Sequence, residues 1–237
     1  MIDMAPFFYH SDLSGGSVLV LDADTSHHIA QVLRMRTEMP LHLTDGAGTL
    51  VHARLIEVSK KSCTVSVEQR SFREQSGRSV SIAIAPIKNS SRFEWFLEKA
   101  TELGVSRIIP LLTDRTEKQR VRTDRLRQIA LSALLQSQQV WLPRIEEPID
   151  YTSLIREWSA QPIQRLIAHC GVQKKNEIAH CPLSTVTGIL IGPEGDFTEA
   201  EIRHALEQGF TPVQLGDTRL RTETAGVVAA AWLRLQS

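Results

Sequence analysis

From Val80 to the end of the chain, short apolar runs alternate with stretches whose apolar residues recur every third or fourth position, which restricts the chain to few folds. The strand-like run Val80 to Ile87 precedes a helical pattern with Phe93, Phe96, Leu97 and Ala100 on one face, closed by Gly104. Ile108 to Leu112 reads as a strand, Leu126, Ile129, Ala130, Ala133 and Leu134 as a helix face, and Leu166 to Ala168 as the next strand. After Val186 to Ile191 the order strand, helix, strand, helix runs to the C-terminus. Such alternation predicts an α/β architecture with a mostly parallel sheet.

The first seventy residues have a different texture. Phe7 to Tyr9, Val18 to Leu21, Leu41 to Leu43, Leu50 to Val58 and Cys63 to Val67 are short and β-like, and Asp45-Gly46-Ala47-Gly48 has the composition of a hairpin turn. One helix interrupts them, with Ile29, Val32 and Leu33 at helical spacing after a cap at Thr25 or Ser26. These signals predict a small β-barrel. The polar, glycine-containing stretch Phe72 to Ser79 is the linker, which places the domains at 1–72 and 73–237.

Lys plus Arg and Asp plus Glu each total 27, so no global field draws the protein to a polyanion. The charge is unevenly spread: residues 73–130 carry 12 basic against 7 acidic side chains, while the segments on either side are net acidic. Arg115, Lys118, Arg120, Arg122, Arg125 and Arg127 form the densest basic run, either a solvated face or a phosphate-facing patch. No apolar run approaches the ~18 residues that cross a bilayer, and the N-terminus lacks the pattern of a signal peptide. Three cysteines, Cys63, Cys170 and Cys181, give no disulfide framework. The expected location is the cytoplasm.

Two loops carry the chemistry. Gly188-Ile189-Leu190-Ile191 runs into Gly192-Pro193-Glu194-Gly195-Asp196-Phe197, and Thr198 with Glu201 has capping-box spacing, so a helix begins there. A glycine-containing loop between a strand's carboxyl end and a helix is where open α/β sheets bind ligands. The arrangement recurs after Val213-Gln214-Leu215, where Gly216-Asp217-Thr218-Arg219-Leu220-Arg221-Thr222-Glu223 enters the last helix. So polar a loop is costly to order unless its groups find partners; helix capping by Thr222 and Glu223 with solvated arginines is the plainer alternative. Neither a dinucleotide fingerprint, a P-loop nor a G-x-S-x-G elbow occurs, and His169-Cys170 with His180-Cys181 does not match metal-ligand spacings, so no metal is expected.

The run Ile191 to Phe197, followed by Leu215-Gly216 and Leu220-Arg221-Thr222-Glu223-Thr224-Ala225, closely resembles the paired signature of the 16S ribosomal RNA (uracil-1498-N3)-methyltransferase family, RsmE. Phe93 to Val105, His27 to Arg34 and Ile56 to Lys61 are similar to other parts of that family, so the likeness runs along nearly the whole chain. The resemblance implies a SPOUT-class enzyme: an N-terminal PUA-like RNA-binding β-barrel, then an α/β domain with a C-terminal trefoil knot. It also implies S-adenosyl-L-methionine among the knot loops, a homodimer, and 16S rRNA of the small ribosomal subunit as partner. Three positions depart from the family pattern. Asp196 stands where a second glycine is usual, Ser137-Gln138-Gln139 replaces Ser-Gly-Arg, and Lys88-Asn89-Ser90-Ser91-Arg92 varies around Lys-Gly-Asp-Arg.

With that resemblance, the candidate cofactor set is His169, Ile191, Gly192, Glu194, Gly195, Leu215, Gly216, Leu220, Thr222, Thr224 and Ala225. Deprotonating uracil N3 spreads negative charge onto O2 and O4, so a cation facing those oxygens stabilises the transition state. Arg221 is the first choice for that role, with Glu223 either orienting it or capping the helix. The RNA-contact candidates are Arg34, Arg36, Lys60 and Lys61 on the barrel, with Lys88, Arg92, Arg120, Arg122, Arg125 and Arg219 on the second domain. A non-catalytic RNA-binding dimer and a methyltransferase acting on another RNA such as tRNA are the alternatives; cofactor binding separates the first from an enzyme.

Overall fold

The computed structural model describes residues 5–75, 77–117, 120–171 and 175–235, which leaves Lys118 of the basic run and Ser76 of the linker outside. The chain clusters into two units, one of residues up to Gln75 with Leu134–Leu142, the other of Ser76–Ala133 with Pro143 onward. The end of the third helix and the Ser137-Gln138-Gln139 turn therefore belong with the first unit.

The first unit holds β1 (Phe7–Tyr9), β2 (Val18–Val20), α1 (Ala23–His27), β3 (Pro40–Thr44), β4 (Thr49–Glu57) and β5 (Thr64–Phe72). Its sheet has the order β1-β3-β4-β5-β2, with β3, β4 and β5 antiparallel and β1 parallel to β3. The alternation in β4 puts Val51, Ala53 and Leu55 inside, against Leu41, Leu43, Val65 and Ile29. Register shifts at His52/Ala53 and Leu55/Glu57 bend this pair and curl the sheet. The hairpin turn forms where expected, Asp45 Oδ1 accepting the Ala47 and Thr49 amides.

The helix differs from its sequence reading. Asp22, not Thr25 or Ser26, caps it: its Oδ1 accepts the Thr25 amide at 2.9 Å. A π-helical turn over His28–Val32 follows. The wider turn shifts the apolar face, so Ile29 is fully buried while Val32 is 63% exposed and Leu33 is also exposed. Arg34 leaves the turn in the left-handed region at φ 51°, a helix-ending position that glycine usually takes.

The second unit runs β6 (Ser79–Ile84), α2 (Ser90–Glu102), β7 (Arg107–Leu112), α3 (Thr123–Gln136), β8 (Arg144–Ile145), β9 (Ile149–Asp150), α4 (Tyr151–Ser159), β10 (Gln164–Ala168), β11 (Asn176–Glu177), β12 (Val186–Ile191), α5 (Glu199–Glu207), β13 (Thr211–Gln214) and α6 (Thr222–Leu235). The sheet order is β11-β13-β10-β12-β6-β7-β8, with β9 also on β7, and every pairing is parallel. Helices cover the sheet, which is why Ile82 to Ala85 and Ile189 to Ile191 are continuous apolar runs. Asn89 caps α2, and Gly104 ends it at φ 78°. The short α4 had no strong sequence signal, yet its Trp158 is fully buried and stacks on Phe210. Trp158 lies so close over Gly188 that an added Cβ there would come within 2.6 Å of the ring. Among the described residues no helix is long and apolar enough to cross a membrane.

Candidate active site

Strands β12 and β13 follow β10 in the chain and flank it on opposite sides, so the carboxyl ends of three neighbouring strands open onto one crevice. The loops after them, beginning at His169, Gly192 and Leu215, wall a cleft of about 750 Å³. Of the cofactor candidates, His169, Ile191, Gly192, Glu194, Leu215, Gly216, Leu220, Thr222 and Ala225 line it; Gly195 and Thr224 do not. Arg221 lines it as well, and so do Arg92 and Arg219, two residues expected at RNA. Asp196, the family departure noted in the sequence, lines the wall too, and Lys175 and Val213 are among the lining residues the sequence did not point to.

Gly195 lies in the first loop but not on the cleft wall. Its φ is not positive, and a Cβ there would meet only Arg115 at an ordinary 3.4 Å. The left-handed residue of this loop is Asp196 at φ 62°, a conformation that glycine takes without strain. Its carboxylate accepts the Cys170 amide at 2.7 Å and the Phe197 amide at 2.8 Å. In the second loop Gly216 has φ 129° with open space where a Cβ would stand, so a ligand can approach its backbone.

Further ties hold the loops. Thr222, buried, donates its hydroxyl to the Gly192 carbonyl at 3.1 Å, joining the two loops instead of merely capping α6. The capping box forms as the spacing predicted, and buried Glu201 also accepts the Asp114 amide at 3.0 Å. Arg115 donates to the Gly195 carbonyl at 2.7 Å, bracing the first loop from the segment after β7. Tyr151 donates to the Glu201 carbonyl at 2.5 Å, and burial pushes its phenol well above the ordinary value.

Glu223 is buried at the start of α6, with Oε2 lacking a hydrogen-bond partner among the described residues and Oε1 3.8 Å from Arg92 Nε. Its nearest cation is thus Arg92, and among the described residues it makes no ion pair with Arg221. Arg92 also lies 3.9 Å from Glu194, and Arg219 donates to the Glu194 carbonyl at 3.3 Å. Arg221 is exposed at the cleft. His169 is buried; its Nδ1 accepts the Gly171 amide at 3.1 Å, which leaves the proton on Nε2, and that atom has no partner among the described residues. Burial, then the Lys175 ammonium, lowers its pKa against the opposing pull of Asp196, so it stays neutral at neutral pH.

The remaining basic candidates lie outside the cleft. Arg34, Arg36, Lys60 and Lys61 are exposed on the first unit, and Lys88 is paired with Glu117. Arg125 is held in a fork by Glu94, with Nε at 2.5 Å and Nη2 at 2.8 Å, while Arg120 and Arg122 are exposed without an ion pair among the described residues.

An RNA methyltransferase is the class this fold and crevice define: an RNA methyltransferase domain matches residues 74–234, and an RNA methyltransferase PUA domain matches 21–68. A ribosomal RNA small subunit methyltransferase E of Synechocystis is 30% identical over 86% of this chain and 69% of its own length. The Rickettsia conorii protein of the same name is 26% identical over 96% and 94%. Among solved structures, ribosomal RNA small subunit methyltransferase E from Neisseria gonorrhoeae bound to S-adenosyl methionine superposes with a TM-score of 0.86 at 28% identity, covering 96% of this chain and 95% of the other. A Porphyromonas gingivalis chain described as a "probable rRNA-methyltransferase" reaches 0.88 at 38%, covering 97% and 98%. The chain belongs to the ribosomal RNA small subunit methyltransferase E family.

Proposed function

We propose that this protein is an S-adenosylmethionine-dependent methyltransferase that methylates N3 of a uridine in 16S rRNA of the small ribosomal subunit. The observation that carries this reading is the crevice itself: three strand-end loops, an open glycine backbone at Gly216, and an unpartnered buried His169 Nε2 at its wall. These suit a nucleoside-containing cofactor, whose adenine edge needs backbone and side-chain donors and whose ring needs Ile191, Val213 and Leu220. When bound, the cofactor supplies a methyl already activated on a sulfonium, so the chain's task is alignment.

Uracil N3 becomes nucleophilic on losing its proton, and the charge left on O2 and O4 needs a cation. Arg221, at the cleft and free of an ion pair among the described residues, supplies it. Arg92, between Glu194 and Glu223, is held as a second cation at the same cleft. Residues 1–72 act as a PUA-like RNA-binding barrel and 73–237 as the methyltransferase domain. The tie from Thr222 to Gly192, with α6 returning to pack on β6 and α2, supports a trefoil knot at the C-terminal end. Exposed Trp232 and Leu235 on α6 support a homodimer through that helix. The test is to incubate the protein with labelled cofactor and small subunits from a strain lacking the enzyme, then map the labelled nucleoside. Label on N3 of one uridine is the expected result; label on a ribose or on tRNA alone would overturn it.

A further inference from the structure

A second cavity of about 220 Å³ lies in the same unit as the cofactor cleft and shares none of its lining. Its interior is apolar, built from Pro86, Ile87, Phe93, Val121 and Leu126, and its rim carries Arg120, Arg122 and Arg125 against one carboxylate, Glu94. The two cavities use different sides of the first turns of α2: Arg92 faces the cofactor cleft, while Ser90, Phe93 and Glu94 face the smaller space. The volume lies below the ~300–1,000 Å³ of sites for whole small-molecule ligands, which suits a single ring system.

We propose that this cavity is a nucleotide subsite of the RNA substrate, taking the base of a residue flanking the target uridine while Arg120 and Arg122 bind its phosphates. The proposal rests on the methyltransferase reading above. Three guanidiniums against one carboxylate complement a phosphodiester, and an apolar interior with Phe93 complements a base face. Glu94 grips Arg125 through Nε and Nη2, which fixes its guanidinium plane at the rim as a surface on which a base can stack. Arg120 and Arg122 lie six and four residues before Leu126, so base and phosphate contacts come from one short stretch of chain. An RNA strand crossing the start of α2 then has its target base in one cavity and a neighbour in the other, which fixes register without reading the whole sequence.

The test uses the full-length protein and short single-stranded RNAs carrying the target uridine at the centre, in which each flanking nucleotide in turn is made abasic with its phosphate kept. For the parent protein, one flanking position is expected to lose roughly tenfold in affinity. Val121→Trp, which fills the cavity, should erase that penalty, and Arg125→Gln, at an exposed position, should reduce it. Arg120→Gln with Arg122→Gln should lower the slope of log affinity against log salt by about 1.4 for two lost single-strand phosphate contacts. No penalty at any flanking position, a penalty that both Val121→Trp and Arg125→Gln leave intact, or a changed salt slope with no base dependence would overturn the proposal. Calorimetry with S-adenosylmethionine on each variant separates the two readings. A parent protein that binds no cofactor sinks the methyltransferase reading, while the abasic series still decides the subsite.

Discussion

The Asp196 carboxylate accepts the backbone amide of Cys170 at 2.7 Å, joining the loop after β12 to the loop after β10 at the wall of the strand-end cleft. The same side chain accepts the Phe197 amide, while its own backbone sits at φ 62°. One residue therefore accepts conformational strain and offsets it with two hydrogen bonds to a charged acceptor.

Asp196→Asn keeps one acceptor oxygen but turns its NH2 toward the other amide, so it should weaken cofactor binding by no more than about tenfold. Asp196→Gly removes the strain but frees both loops. Both hydrogen bonds to the charged group are lost, each worth about 1.5–3 kcal/mol and opposed by the strain relieved, so cofactor affinity should fall by more than roughly tenfold while thermal stability changes little. Calorimetric titration beside a melting curve reads both; equal affinity for the glycine variant would show that the loops need no tie.

Gln138 is the contrasting case. It too lies in the left-handed region, at φ 54°, and it belongs to the turn that ends α3. Left-handed backbone costs roughly 1–2 kcal/mol for a side chain, and glycine gives back about 0.4–1 kcal/mol through unfolded-state entropy. Gln138→Gly should therefore stabilise the protein by up to about 1 kcal/mol, measured by urea unfolding; a destabilised variant would mean that the Gln138 side chain contributes more than its strain costs.

Arg221→Ala should lower kcat and kcat/KM together by about 10²–10³-fold, the scale of one preorganised donor facing developing charge, with little change in cofactor Kd. Lysine should rescue only part, because a point charge lacks the planar fork. A variant that loses RNA affinity yet keeps its single-turnover rate on saturating subunits would make Arg221 a binding residue.

His169 gives the fold a pH dependence. Its pKa is lowered from 6.5 by burial and then by Lys175, so the unfolded chain takes up a proton at a higher pH than the folded one. Stability is fully present above about pH 6.5 and falls as pH drops toward the lower folded value. In His169→Asn, whose amide oxygen can still accept the Gly171 amide, the urea midpoint should fall less between pH 7.5 and 5.5 than in the parent. Identical slopes would place the titration elsewhere.

Strand and helix periodicity was legible wherever apolar spacing was long and regular. The faces of α2 and α3, the hairpin at Asp45 to Gly48 and the Thr198/Glu201 capping box all follow from contacts within a few residues of one another. Where a residue's environment comes from distant chain, local pattern misled or was silent. The π-turn that exposes Val32 and Leu33 was invisible to helical spacing, and α4 shows its weight only in the meeting of Trp158 with Gly188 and Phe210.

The site divides in the same way. The sequence by itself determined that two polar, glycine-containing loops each follow a strand and that Arg221 and Glu223 enter the last helix, because strand, loop and cap chemistry are local. Only the tertiary structure decided that Glu223 faces Arg92, that Asp196 and not Gly195 is the left-handed residue, and that Arg92 and Arg219 stand at the cofactor cleft. Side-chain partners depend on which strand ends lie side by side, and the order β13-β10-β12-β6 departs from chain order.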